Sequence, residues 1–372
     1  MTDNFFAERR EWSARKHALL TNYLTGFTRI LGGWQGTVYY VDAFAGPGVY
    51  GENKEKGSPV LAAQHAHSLR NKSYQLRCVN VEPDDQYFRD LEQNTQVYRN
   101  LVTNFHGTFA DHVDTILGNT GVQPTLFFID PFGVKGMEWQ VVSKVLQRDH
   151  ITEILLRVDQ NTIQRLAGFS GSTYSAAQGK RQCLNEYFGF SDSSQWEQVW
   201  HSAGIEGLLR LYMRRLAEGM NLGDSSASYV CSYPIRSIEG DVKYRLMFAT
   251  RHPKGAILMS NTVYGREETY EREVEDYKAS QPRQLSMFDI FKPTEEEIFA
   301  DKVSKLKEGI WQKFQGKTAS RLDVHQSMLG KWFGRVKGSH FTRAFKEMDE
   351  DGRIVDLSGP PSNDYTQIVF RD

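Results

Sequence analysis

The chain has few cysteines and no long apolar run. Its 372 residues include three cysteines, Cys78, Cys183 and Cys231, which lie far apart. An odd number of scattered cysteines argues against a disulfide framework and against a cysteine-rich metal site. No apolar run approaches the ~18 residues that a membrane span needs, and the first ten residues lack the apolar stretch of a secretory signal. We therefore expect a cytoplasmic protein with no bound metal and no membrane contact.

An excess of charge of one sign is also absent. The formal net charge is −1, although 24% of the residues are charged. The chain as a whole is therefore neither a general polycation nor a mimic of a polyanion. Any nucleic-acid binding has to come from a local basic patch rather than from overall basicity.

Strand-like apolar runs alternate with helical patterns through the first 160 residues. This alternation predicts parallel βαβ units and the α/β class. Residues 161–222 change to a helical block, which predicts an insertion, and Tyr229–Arg236 with Val242–Arg251 predict a hairpin around Gly240. We assign residues 1–270 to one α/β domain.

The rest of the chain is predicted to be a linker followed by a small domain. Residues 271–294 are polar, with the composition of a linker. From residue 295 to residue 372, three helical patterns precede two apolar alternations around Gly359-Pro-Pro. Three helices and a hairpin predict a C-terminal winged helix-turn-helix domain.

The first segment that carries chemistry follows a buried strand at residues 37–41. It reads Asp42-Ala-Phe44-Ala-Gly46-Pro-Gly48. Glycines after a strand let the backbone approach a ligand closely, and the leading carboxylate can pair with an ammonium group. S-adenosylmethionine (SAM) carries such a group. The alternative is an ordinary tight turn with an incidental acid.

Two further acids follow the next two predicted strands. Glu82 ends the second strand and is placed to accept both hydroxyls of a ribose. Asp111 follows the third strand, where it could meet the adenine amino group. Together with Asp42, Phe44, Gly46 and Gly48, these residues form the predicted cofactor site.

The second chemical segment is Asp130-Pro131-Phe132-Gly133, after the apolar run Leu126–Ile129. In methyltransferases that modify exocyclic amines of bases, such a loop holds the hydrogens of the amine and stacks an aromatic ring on the base. We therefore predict that Asp130, Pro131 and Phe132 are catalytic. The alternative is a proline-terminated loop with a buried aromatic ring. Since ligands bind beyond the carboxyl ends of strands in open α/β sheets, the two loops are expected to form two halves of one site.

A set of motifs along nearly the whole chain resembles the three-Cys-motif partner (TcmP) family. The motifs are Lys16 with Tyr23, the Asp42–Gly48 turn, Gly57-Ser-Pro59, Glu82, Ile129–Gly133 and Phe248-Ala-Thr-Arg-His252. The resemblance implies a Rossmann-like methyltransferase-type sheet with a winged-helix tail, and a radical-SAM-like three-Cys-motif protein as a partner. The Asp-Pro-Phe-Gly loop is also similar to that of tRNA guanine-N2 methyltransferases.

The C-terminal domain contains the strongest local charge. Between residues 316 and 346 there are seven Lys or Arg residues and one acid, so the local charge is +6. A patch of this kind can neutralise phosphates, and the start of the third helix could meet base edges. The residues predicted to contact nucleic acid are Lys331, Arg335, Lys337, His340, Arg343 and Lys346. The alternative is a solvated helical face in a dimerisation or partner-docking domain.

A short peptide in the predicted linker resembles a docking motif. Gln284-Leu-Ser-Met-Phe288 is similar to the peptide by which bacterial proteins bind the DNA sliding clamp. The alternative is an apolar strap across the catalytic domain.

Three hypotheses of function follow from the sequence. The first is a SAM-dependent methyltransferase that acts on an exocyclic amine of a base in DNA or RNA. The second is a non-catalytic nucleic-acid-binding subunit of a bacterial or phage modification or defence assembly. The third, a nicotinamide-dependent oxidoreductase, is disfavoured because it gives no role to the Asp130-Pro-Phe-Gly loop.

Overall fold

A computed structural model describes residues 11–51, 54–172, 174–221, 228–281 and 293–372. The chain divides into two compact units, residues 1–255 and 256–372. Within the described ranges, no helix is long and apolar enough to cross a membrane. Gln284–Phe288, the predicted clamp-binding peptide, lies outside them.

The first unit is built on a seven-stranded sheet. In their order across the sheet, the strands are β5 (Val102–His106), β4 (Gln75–Glu82), β1 (Thr37–Asp42), β6 (Thr125–Ile129), β7 (Thr152–Val158), β9 (Val242–Thr250) and β8 (Tyr229–Arg236). The first five are parallel, and β9 pairs antiparallel with both of its neighbours.

The strand order places a topological switch point beside β1. From β1 the chain adds β4 and then β5 on one side, and it crosses back to add β6 on the other side. Asp42 lies opposite Phe128 in the register of β1 with β6. The loops that leave β1 and β6 therefore diverge from one crevice at the carboxyl ends of the strands, where ligands bind in this class of sheet.

Helices connect the strands and cover the sheet. Their bounds are α1 (Glu11–Phe27), α2 (Gly33–Gln35), α3 (Ser58–Ser68), α4 (Asp85–Thr95), α5 (Phe109–Thr120), α6 (Trp139–Leu146), α7 (Gln160–Ala167), α8 (Ser175–Phe188), α9 (Ser194–Met220) and α10 (Pro253–Ser280). Helix α4 begins where the Asp84 carboxylate accepts hydrogen bonds from the backbone N–H groups of Gln86 and Tyr87. The predicted α/β class is confirmed, and helices α7 to α9 form the predicted insertion between β7 and β8.

One apolar cluster of the first unit joins the sheet to the insertion. Buried strand residues such as Phe127 and Leu156 belong to the same apolar cluster as Trp196, Tyr212 and Leu216 of α9. The Tyr187 and Tyr212 rings stack with their centroids 4.5 Å apart. The insertion is thus packed into the core that supports the site.

The second unit contains three further helices and a small sheet. These are α11 (Glu295–Phe314), α12 (Arg321–Trp332), α13 (Gly338–Glu350), and the antiparallel strands β10 (Thr318–Ser320), β12 (Gln367–Phe370) and β11 (Ile354–Leu357) in that spatial order. The winged-helix prediction rests on these three helices and on the hairpin of β11 and β12. Strand β10 of this unit was not indicated by the sequence patterns.

The division between the units differs from the predicted one. It falls inside α10, at Gly255, rather than at residue 270. The predicted linker also begins too early, because α10 continues through Ser280. The acidic, polar sequence of residues 271–280 resembles that of a linker, but the same residues are good helix formers. From Ala256 onward α10 belongs to the second unit, where the Ser260 hydroxyl accepts a hydrogen bond from the Gly334 N–H at 3.0 Å.

Candidate active site at the carboxyl ends of the strands

The loop after β1 is fixed by backbone hydrogen bonds to both neighbouring strands. The Ala43 N–H donates to the Phe128 carbonyl at 2.9 Å, and the Ala45 N–H donates to the Val81 carbonyl at 3.0 Å. Gly46 then takes a φ of +63°, which favours glycine. The loop therefore crosses the tops of three adjacent strands in one defined conformation.

Asp42 lies at the end of β1, where the glycine turn begins. Its side chain is fully buried. It accepts hydrogen bonds from the Tyr40 hydroxyl at 2.9 Å and from the Phe44 N–H at 3.3 Å. These hydrogen bonds fix Asp42 at the start of the glycine turn. The ion pair between Asp42 and the ammonium group of a ligand stays a prediction.

We predict a pH effect from this buried acid. Burial raises the pKa of Asp42 from 3.8 to about 6, and the Asp130 charge adds to the increase. Because the folded state then holds the proton more tightly than the unfolded state, the free energy of unfolding falls as pH rises from about 4 to about 6. The slope is at most about 1.4 kcal/mol per pH unit. Asp42→Asn should flatten this dependence in denaturant titrations.

The control for this measurement is Asp149→Asn, which removes an exposed acid. It should leave the pH dependence of unfolding unchanged. The assignment would be contradicted by a wild-type free energy of unfolding that rises between pH 4 and pH 6. The same would hold if the free energy of unfolding of Asp42→Asn changed with pH as that of the wild type does.

Glu82 lies at the end of β4, next to the glycine turn. Its Oε2 accepts a hydrogen bond from the Gly46 N–H at 2.9 Å, and its Oε1 accepts one from the Asp84 N–H at 2.8 Å. Each carboxylate oxygen can accept a second hydrogen bond. Burial raises the pKa of Glu82 above its ordinary value, while the two backbone donors favour the charged form. The carboxylate is thus held in a fixed orientation with acceptor capacity left over.

The loop after β6 lies beside the glycine turn. The Phe44 ring of the first loop lies against Gly136, where an added Cβ would come within 2.8 Å of the ring. Gly136 belongs to the same loop as Asp130, and the Asp130 charge raises the pKa of Asp42. The structure therefore brings the two predicted loops together.

Two cations that the sequence prediction did not assign to the site flank Asp130. Lys16 of α1 forms an ion pair with Asp130 Oδ2, and Arg157 of β7 places Nη1 3.7 Å from Asp130 Oδ1. Lys16 is only 5% exposed. The signal that could have identified these residues is a basic side chain within an otherwise apolar helix face or strand.

The remaining residues of the second loop differ in exposure. Pro131 is buried, whereas Phe132 is 53% exposed. Gly133 takes a φ of +79°, and a Cβ added to it would lie 3.7 Å from Thr162 Cγ2 in α7. The insertion therefore begins directly beside the loop that carries the predicted catalytic residues.

Asp111 is placed as a helix cap. Its Oδ2 accepts hydrogen bonds from the N–H and the hydroxyl of Thr108, at 2.9 and 2.6 Å, in a capping box at the start of α5. These hydrogen bonds lower its pKa. Helix capping accounts for the acid at this position, and adenine recognition by Asp111 stays a prediction.

Three glycines of the first loop have the spacing Gly-x-Gly-x-x-Gly, since Gly46 and Gly48 are followed by Gly51. In a dinucleotide site this fingerprint opens a helix. Here Gly51 instead lies between the short antiparallel strands β2 (Val49–Tyr50) and β3 (Glu55–Lys56). Helix α3 begins only at Ser58, so the structural context of the nicotinamide fingerprint is missing.

The predicted nucleic-acid residues do not form one open basic surface. His340 is fully buried and stacks on Phe299 with ring centroids 4.1 Å apart, so the prediction that it contacts nucleic acid is wrong for this structure. Arg343 forms ion pairs with Glu296 and Glu347. Lys337 Nζ lies 3.7 Å from Glu268 Oε2. The exposed positions are Lys331, Arg335 and Lys346.

No known protein family matches this chain, and no curated protein matches it. Several solved structures resemble it at low sequence identity. The O-methyltransferase TomG from Streptomyces achromogenes, in complex with SAM, is 12% identical over 66% of this chain and 92% of that chain, with a TM-score of 0.35. An O-methyltransferase from Bacillus cereus, in complex with S-adenosylhomocysteine (SAH), is 12% identical over 66% and 93%, with a TM-score of 0.30.

A protein from Legionella pneumophila is 12% identical over 74% of this chain and 93% of that chain, with a TM-score of 0.38. At these identities and TM-scores, the likenesses do not establish what this chain binds or does. The fold class instead rests on the sheet itself. Five parallel strands, a switch point beside β1 and an antiparallel β9–β8 edge define a Rossmann-like fold of the methyltransferase type.

Proposed function

We propose that this protein is a SAM-dependent methyltransferase that acts on an exocyclic amine of a nucleic-acid base. The single observation that carries the proposal is the adjacency of the two loops at the switch point. One loop is a glycine turn beside Glu82, and the other presents Asp130 and Phe132. This arrangement offers one place for a methyl donor and one for an acceptor within the same crevice.

The residues of the first loop fit the cofactor. Both oxygens of Glu82 retain acceptor capacity for the two ribose hydroxyls, since each receives one backbone N–H. The glycine at position 46 leaves space for close backbone approach to a ligand. When bound, SAM would supply an electrophilic methyl group on a sulfonium.

The second loop fits an amine as the acceptor. Asp130 Oδ1 is buried and has no hydrogen bond in the structure. A buried carboxylate oxygen without a donor is costly, and the N–H of an acceptor amine would satisfy it. The half-exposed Phe132 ring can stack on the base that carries the amine. Asp130 would then orient the nitrogen and receive its proton as the new bond forms.

The second unit supports a polymeric substrate. Its exposed cations Lys331, Arg335 and Lys346 can contact phosphates. Such contacts bind DNA or RNA without reading the sequence, so they support polymer binding rather than a choice between the two. A radical-SAM-like partner and the sliding clamp, through Gln284–Phe288, remain proposed partners.

The direct experiment is incubation of the protein with tritiated SAM and a mixed pool of tRNA, rRNA and plasmid DNA. We expect tritium to enter one of the nucleic acids and to be recovered as a methylated base amine. If the label stays in SAM under all conditions while the protein binds SAM, the proposal of methyl transfer fails.

One observation favours the second hypothesis, a non-catalytic nucleic-acid-binding subunit. The ion pair of Asp130 with Lys16 gives this acid a structural partner. In that case the protein should bind duplex in a salt-dependent manner that survives Asp130→Ala, and no methyl transfer should occur.

We predict a separate role for Phe132. Phe132→Ala should lower kcat by about 10- to 100-fold, because base stacking contributes roughly 1–3 kcal/mol. The Kd for SAM should change less than about twofold, since the ring orients the acceptor rather than the cofactor. Trp34→Ala, another exposed aromatic, is the control. Equal losses of turnover and SAM affinity in Phe132→Ala would contradict this division of roles.

A further inference from the structure

Lys16 is a buried lysine on a helix that precedes the entire sheet in the chain. Helix α1 is fixed beside the β9–β8 edge, where the Tyr244 hydroxyl donates to the Trp12 carbonyl at 3.3 Å and Arg15 Nη1 donates to the Arg236 carbonyl at 2.6 Å. Farther along α1, the Tyr23 hydroxyl donates to Glu153 of β7. These contacts hold α1 where the Lys16 side chain reaches Asp130.

The two oxygens of Asp130 have different environments. Oδ2 accepts a hydrogen bond from Lys16 Nζ. Oδ1 has no hydrogen bond, because Arg157 Nη1 is 3.7 Å away, which is beyond hydrogen-bond distance. The Arg157 guanidinium is itself placed 4.5 Å from the Tyr244 ring centroid and lies 3.8 Å from Asp159. The carboxylate is thus fixed through one oxygen and retains an acceptor on the other.

Stability alone is a weak reason for this arrangement. Removing a lysine and a carboxylate from water costs several kcal/mol per ion, and apolar pairs of similar volume are often as stable. A site that orients an amine, however, needs its acceptor held to within about 0.5 Å. The pair is therefore better explained by orientation than by folding.

We propose that Lys16 is a positioning residue of the active site, which fixes Asp130 so that Oδ1 accepts a hydrogen bond from the amine of the acceptor. This inference rests on the proposed function and extends the site to α1. Lys16 acts through Asp130 and not through the cofactor. The loss of Lys16 should therefore affect the chemical step and leave SAM binding intact.

The test compares Lys16→Met with wild type in single-turnover methyl transfer and in SAM titration calorimetry. We expect kcat to fall about 100-fold, the effect of roughly 1 Å of misplacement at a reacting group. The Kd for SAM should stay within about threefold of the wild-type value. Lys16→Arg keeps a cationic donor, so its kcat should be at least about tenfold higher than that of Lys16→Met. Lys72→Met, which removes an exposed lysine, is the matched control.

Three results would overturn the inference. They are a Lys16→Met variant with kcat within threefold of wild type, parallel losses of kcat and SAM affinity, and no recovery in Lys16→Arg. If Lys16→Met does not fold, Lys16→Gln, which removes the charge and shortens the side chain, takes its place. Its kcat should then be at least about tenfold below wild type, with the Kd for SAM within about threefold. A wild-type protein that binds no SAM and transfers no methyl group refutes the proposed function itself. A wild-type protein that is active beside an equally active Lys16→Met refutes only the role of Lys16.

Discussion

Glu82→Gln is expected to weaken SAM binding at least about 100-fold. The substitution replaces one carboxylate oxygen by an amide nitrogen, which would face the N–H of Gly46 or Asp84 where an acceptor is required. It also removes the charge that strengthens hydrogen bonds to the ribose hydroxyls. Hydrogen bonds to charged groups contribute about 1.5–3 kcal/mol each, and 2.7 kcal/mol corresponds to roughly a 100-fold change in Kd.

Titration calorimetry with SAM and with SAH measures this loss. Glu92→Gln, an exposed position on α4, is the control and should bind both ligands as the wild type does. Thermal melting of the two variants separates a local loss of binding from unfolding. Wild-type affinity in a folded Glu82→Gln protein would remove Glu82 from the cofactor site.

Asp130→Asn is expected to lower kcat about 1000-fold while the Kd for SAM stays within about threefold. The asparagine keeps the shape of the side chain, but it cannot receive the proton of the amine. A positioned acid or base typically contributes 10²- to 10⁴-fold to a rate. Asp130→Ala should be equally inactive and in addition less stable, by about 3–5 kcal/mol, because it leaves Lys16 buried without its carboxylate.

Rapid-quench measurement of methyl transfer, with the substrate identified from the labelled pool, tests this prediction. Asp149→Asn serves again as the exposed control. A fully active Asp130→Asn protein would assign the carboxylate a structural role only. It would then favour the interpretation of a non-catalytic binding subunit.

The fold could be predicted largely from local pattern. Apolar runs that end in Asp42 and Asp130 were sufficient to identify β1 and β6, because buried parallel strands are continuous hydrophobic segments bounded by turn residues. The pairing of the two loops followed from the topology rule for parallel sheets. Residue 270 failed as a domain boundary, because charge and polarity do not distinguish a linker from an exposed helix such as α10.

The site was less predictable, since the orientation of a side chain is not encoded in spacing. A carboxylate at the end of a strand can face the ligand or lie under the turn, and Asp42 lies under it. Lys16 and Arg157 reach Asp130 from elements distant in sequence, so the spacing along the chain does not indicate that they contact it. His340 occupies the first turn of α13, where a polar residue suggests contact with nucleic acid, but Phe299 of α11 covers it.

A crystal structure of the protein with SAH tests the proposed site most directly. We expect the ribose hydroxyls of SAH to lie on Glu82 and its sulfur to lie between the glycine turn and the loop that carries Asp130 and Phe132. SAH bound elsewhere, or no SAH bound at millimolar concentration, would contradict the claim that these two loops frame a methyl donor and its acceptor.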